Sequence, residues 1–228
     1  MRFIKKSRAP KRFRDWKKAM RGLPDENNYE AVPTDVKDSL RKAMRREQGD
    51  LCAYTMARID ARTGAHVEHL QPQKHFPERA TDFGNMLLCV PAKGPCEYGA
   101  IKKHDTLVDD SNFVSPLNEG CESRLRYRLS GEVVARAEND EAAKNTIKIL
   151  NLNHGILVSA RRNAFRAQGI VPAARAISAM QAFRLSKAVL QRDSFGRFPP
   201  YCIAVAQVAE TFALQSKSRA RRLAKTSE

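Results

Sequence analysis

The residues best suited to chemistry lie in HVEHLQPQ, positions 66 to 73, where Glu68 and His69 are adjacent. An imidazole ionises near pH 6.5, so a histidine can take a proton from water at neutral pH. A carboxylate is a hard oxygen ligand for a divalent cation. On a strand, neighbouring side chains point to opposite faces. One of the pair can therefore hold a metal while the other turns toward water or an orienting partner. Phosphodiester hydrolysis asks for that combination: a base, a cation that polarises the phosphate and stabilises the leaving oxygen, and groups that fix both. Asn85, in DFGNMLLC, follows His69 by sixteen residues and offers an amide or a backbone contact to orient the histidine. His104, in KKHD, stands nineteen residues further on.

The elements that must position these groups read as an α+β chain, mostly helical. PTDVKDSLRKAMRREQGD predicts a helix with Thr34 as N-cap, acidic residues in the first turn and Gly49 at the end; Val36, Leu40 and Met44 share one face. Tyr54, Met56 and Ile59 before a Thr-Gly turn, with Val67 and Leu70 after it, predict a β-hairpin. NMLLCV is a short apolar piece, and CEYGAIKKHD reads as a short helix. NFVSPLNEGCESRLRYRLSGEVVARA reads as two strands around Ser130 and Gly131. Helical periodicity then dominates, over roughly 140–151, 154–168, 171–191 and 200–216. Asn151 and Asn153 are expected to cap and end a helix. Val205, Val208 and Phe212 are expected on a core or partner face.

The formal net charge is +16, and most of it lies at the two ends. Residues 1–22 hold ten Lys or Arg against one Asp, and residues 217–228 hold five against one Glu. Such ends suit a polyanion, and nucleic acid is the expected one. The first 22 residues read as an extended arm with one helical turn around Trp16. They contain no apolar signal core and the chain has no long apolar run, so a cytoplasmic protein without a membrane span is expected. Five cysteines, an odd number, argue against a disulfide framework. Cys52, Cys89 and Cys96 could share a zinc ion, though buried apolar thiols are the simpler reading.

The order E-H-x-x-P, then N-x-L-x-C, then a basic helix with a histidine resembles the HNH endonucleases. CAYTMARI, EHLQPQ, DFGNMLLC, NFVSPLNEGCE, LSGEV and TIKILNLNHGILVSARR follow the order of one subgroup, over about residues 2 to 165. That subgroup is the HNH component of Septu-type anti-phage systems and of retrons with an ATPase–HNH pair. The resemblance implies a ββα-metal (HNH) finger at about 50–106, inside a nuclease core spanning 34–135. A basic arm would precede it over 1–33, and a helical region at 136–216 and a basic tail at 217–228 would follow. His69 would be the general base, Asn85 the middle Asn and Glu68 the first ligand of a divalent metal (Mg²⁺, or Mn²⁺ or Zn²⁺). The usual position of the next ligand, near 95–97, carries no His or Asn, which leaves His104, with Glu97 or Asp105 as substitutes. The subgroup's C-x-Y-C is Cys52-Ala53-Tyr54-Thr55 in this chain, so its four-cysteine zinc site is incomplete.

The implied function is a toxic endonuclease acting on DNA or RNA beside an SMC-like, ABC-type ATPase. A retron reverse transcriptase and its msDNA are further implied partners. The alternatives are a tRNA-directed ribonuclease and a catalytically degenerate nucleic-acid-binding adaptor. Arg2, Lys5, Lys6, Arg12, Arg14, Trp16, Lys102 and Lys103 are the expected contacts to nucleic acid or partner.

Overall fold

The computed structural model describes residues 1–60, 64–91, 94–170 and 177–225, with side chains as far as 216. The fold is α+β and mostly helical, with two small two-stranded sheets. None of the described helices is long and apolar enough to cross a membrane.

Residues 1–22 do not form a free arm. Met1, Ile4 and Phe13 are buried, and Pro10 opens helix α1, Lys11–Met20. Trp16 stacks on Phe13 with ring centroids 5.8 Å apart. The lead is stitched down by backbone as well: Ile4 N–H donates to the Pro116 carbonyl at 2.8 Å and Phe3 N–H to the Glu122 carboxylate at 3.0 Å. Apolar residues at Met1, Ile4 and Phe13 outweigh the basic residues between them, of which Lys5, Arg8, Lys11 and Arg12 stay exposed while Arg2 and Lys6 are partly buried against Phe198 and Glu47.

Helix α2, Thr34–Gln48, buries Val36, Leu40, Ala43 and Met44 at helical spacing. Pro33, not Thr34, takes the N-cap position, and no side chain caps the end. Gly49 closes the helix in the left-handed region, where a Cβ would fall 2.4 Å from the Phe198 ring.

Strand β1, His66–His69, pairs antiparallel with β2, Met86–Cys89, placing Glu68 opposite Leu87 and His69 opposite Met86. The hairpin expected between residues 54–59 and 67–70 is therefore not the pairing that forms. Residues 51–59 keep one bridge, Leu51 to Arg58, and turn back on themselves, with Met56 at a φ of 61°. Tyr54, Met56 and Ile59 are all buried, so the segment has no solvent face to alternate with. The outer edge of β2 is covered by a side chain: the Gln48 amide accepts from Leu88 N–H at 2.8 Å and donates to the Leu88 carbonyl at 2.9 Å.

Helix α3, Gly99–Lys103, follows β2. The short helix α4, Cys121–Arg124, leads into β3, Leu125–Tyr127, which pairs with β4, Val133–Ala135, around Ser130 and Gly131 as expected. Helices α5 (Glu141–Ile149), α6 (Gly155–Ala167), α7 (Ala179–Ala188) and α8 (Cys202–Lys225) follow. The helix expected over 171–191 begins at Ala179; residues 171–176 lie outside the described set. The backbone of α8 runs on through most of the expected basic tail.

One hydrophobic cluster runs from Met1 to Ala209, so the N-terminal segment, the sheets and the C-terminal helices share a core. Val205 and Val208 belong to it and Phe212 packs on its edge. Arg161 is buried in it, its guanidinium donating to the carbonyls of Gly131 and Leu152. Asn153 binds both the N–H and the carbonyl of Val133, fastening β4.

Candidate functional site

Residues Glu68 and His69 end β1 on opposite faces, as adjacent strand residues must. Both are buried. The His69 ring is held on two sides. Its Nε2 lies 2.9 Å from the Ala80 carbonyl, which can only accept, so Nε2 carries the proton. In the neutral ring Nδ1 is then the basic atom, and it accepts from the Gln73 amide at 3.1 Å. Burial lowers the His69 pKa, the Ala80 bond opposes that, and the Lys103 charge adds to the lowering. The ring is thus neutral at pH 7, with its lone pair toward an exposed glutamine. Tyr29 packs edge-on against it at 5.2 Å, and among the described residues the buried Tyr29 hydroxyl has no hydrogen-bond partner.

Asn85 makes no hydrogen bond to the ring, whose partners are Ala80 and Gln73. Its amide oxygen accepts from Gln71 N–H at 2.8 Å and its nitrogen donates to the Gln71 carbonyl at 2.9 Å. It also reaches the Arg79 carbonyl at 3.4 Å, one residue before the His69 acceptor. Asn85 is therefore a positioning residue. It fixes the 71–80 loop that carries both of the histidine's partners, from a 3₁₀ turn, Phe83–Asn85, whose Gly84 N–H donates to the Asp82 carboxylate.

On the other face Glu68 meets Lys103. The Lys103 ammonium lies 2.9 Å from Glu68 Oε1, and the Tyr54 hydroxyl donates to the same oxygen at 3.1 Å. Burial raises the Glu68 pKa, and the Lys103 charge and hydrogen bond pull it back. Burial, then the Glu68 charge, holds the Tyr54 phenol well above its ordinary value. His104, expected to join Glu68 on a metal, is exposed and pairs with Asp105 at 3.2 Å. It closes α3 at a φ of 47°, which turns its side chain away from the buried face occupied by Gly99, Ala100 and Lys103. The residues as placed do not fit a divalent cation on Glu68, because an ammonium already sits against that carboxylate. Among the described residues no group of three His, Cys, Asp or Glu could hold a metal ion.

The cysteines do not assemble a three-ligand group either. Cys52 and Cys89 are buried and hydrogen-bonded to each other, while the Cys96 thiol donates to the Tyr98 carbonyl at 3.4 Å. Burial, together with the bond to Cys52, pushes the Cys89 thiol well up.

Of the expected nucleic-acid or partner contacts, Lys103 is corrected outright: it is fully buried and faces Glu68. Lys6 is bound to Glu47 at 2.8 Å and to the Met86 carbonyl at 3.1 Å. Arg14 donates to the Ala9 carbonyl, and Trp16 is half-buried against the core. Arg12 and Lys102 are exposed and paired with Asp35 and Glu97. Arg2 lies over the Phe198 ring at 3.7 Å, one wall of a groove whose other basic residues are Lys5, Arg8, Arg46 and Arg192. The Arg192 guanidinium donates to the carbonyls of Arg46, Glu47 and Gly196, so it builds the groove, while Lys5, Arg8 and Arg46 stand exposed in it.

Sequence reasoning missed Gln73, the Ala80 carbonyl and the Glu68–Lys103 pair. Gly99, Ala100 and Lys103 share the buried face of α3, and that spacing was the available signal for the last. The chain matches no protein-family model and no curated protein.

Proposed function

We propose that the chain is a nucleic-acid phosphodiesterase of the HNH kind, with His69 as its general base. The observation that carries this reading is the His69 ring itself. It is neutral, it is locked in one tautomer by the Ala80 carbonyl, and it presents Nδ1 to an exposed side chain that can swing aside. The β1, β2, α3 order around it agrees with a ββα finger, and Asn85 supports the finger's loop. The exposed cations Lys5, Arg8 and Arg46 offer phosphate contacts on the same body. Lys6, from the same segment, bonds to Met86, the strand partner of His69.

Two substrates suit this base. With DNA, His69 takes a proton from water. With RNA it takes one from a ribose 2′-hydroxyl, whose oxygen attacks the adjacent phosphorus and expels the 5′ oxygen, leaving a 2′,3′-cyclic phosphate. The ammonium on Glu68 favours RNA, since that substrate carries its own nucleophile and asks less of a cation. The family resemblance makes an SMC-like ATPase the partner to test, by co-purification with the chain bearing Arg12→Glu at an exposed position; undiminished recovery would remove that surface from consideration.

The deciding experiment incubates the purified chain, alone and with such an ATPase, with plasmid DNA and total tRNA, in Mg²⁺, Mn²⁺ or chelator, followed by end-group analysis. Cleavage is expected to be lost in His69→Ala. A His69→Ala protein that cuts as the parent does would end the assignment of this site. Binding without cleavage by the parent in every condition would leave an adaptor as the function.

A further inference from the structure

A fully buried lysine is rare unless paired, and Lys103 is one. Its ammonium has three N–H donors and no acceptor. Three oxygens meet it: Glu68 Oε1 at 2.9 Å, the His69 carbonyl at 3.3 Å and the His104 carbonyl at 3.5 Å. The Tyr54 hydroxyl donates to the same carboxylate oxygen. A carboxylate with two backbone carbonyls is also a donor set that a hard divalent cation accepts. We propose that Lys103 is a built-in substitute for a divalent cation, filling an oxygen cage between β1 and α3 that becomes a metal site when the ammonium is removed.

The argument is one of charge and space. An ammonium and a divalent ion on the same carboxylate oxygen, out of water, repel strongly at such short range. The one covalently attached is always present at the site, and so it excludes the other. The proposal concerns the cage alone and holds whatever His69 does.

The test is Mn²⁺ titration of the full chain, read by paramagnetic broadening of the backbone amides of residues 67–70 and 100–105 and by the thermal midpoint. In the parent, those amides are expected to stay sharp and the midpoint unmoved. In Lys103→Ala they are expected to broaden at one equivalent of Mn²⁺, with the midpoint rising by several degrees. The Glu68→Gln/Lys103→Met chain, which has neither charge, is expected to fold and to ignore Mn²⁺. Stoichiometric broadening in the parent would overturn the proposal. So would a Lys103→Ala chain that Mn²⁺ neither binds nor stabilises, whether that chain is folded or unfolded without metal.

Discussion

His69 is neutral because burial disfavours its charge, and this has a sign that can be checked. Its folded pKa lies below that of the unfolded chain, which is about 6.5. Above that value the ring is neutral in both states and costs nothing. Below it the unfolded chain takes the proton first, so stability falls as pH drops. Urea midpoints between pH 7 and 5 are expected to fall more steeply for the parent than for His69→Gln. The acid limb of any cleavage profile is likewise expected below the ordinary histidine value. Lys103→Ala, which strands a buried carboxylate, is expected to lose about 3–5 kcal/mol in metal-free buffer, measured by urea unfolding. The adjacency of Glu68 and His69 and their opposite facing were legible in the sequence. The partners of each were not, because Ala80, Gln73 and Lys103 reach them through a loop and a helix whose placement no local spacing encodes.

At the scale of elements, the 71–80 loop depends on one amide. Asn85→Ala removes the partners of the Gln71 N–H and carbonyl, and is expected to cost about 1–3 kcal/mol. Hydrogen exchange should then accelerate through residues 71–80 while α2 is unaffected. The β3–β4 turn is equally specific. Gly131 has a φ of 88°, and a Cβ there would fall 2.4 Å from the Val158 carbonyl oxygen. Gly131→Ala is expected to lose about 2–3 kcal/mol by thermal or urea unfolding. That hairpin was readable because Ser130-Gly131 sits between strands with partly exposed faces, Arg126 outward between Leu125 and Tyr127. The segment 51–59 was misread because its apolar residues are buried on every side and its turn relies on the left-handed conformation of Met56, a residue type that gives no such signal.

For the whole molecule, charge and core are interleaved rather than segregated into arm and body. Replacing Lys5, Arg8 and Arg46 by Glu is expected to weaken binding to any nucleic acid and to lower the slope of log affinity against log salt by about 3, with an unchanged thermal midpoint. Fluorescence anisotropy across a salt series checks this. Deleting residues 1–22, by contrast, removes Met1, Ile4 and Phe13 from the core and is expected to unfold the protein, which circular dichroism would show. The basic composition of that segment was plain in the sequence; its anchoring was not, because the residues that receive it are far along the chain. Phe3 bonds to Glu122 across 119 positions, and Arg2 reaches Cys202 across 200. The partners of this segment are spread along the chain, from Glu47 and Met86 for Lys6 to Pro116 for Ile4 and Phe198 for Arg2, so it seats fully only when residues as far as 198 are in place. The walls of the basic groove, Arg46 and Glu47 on one side and Arg192 and Phe198 on the other, therefore exist together only in the fully folded chain, and an unfolded one has the charge but not the shape to hold a nucleic-acid strand.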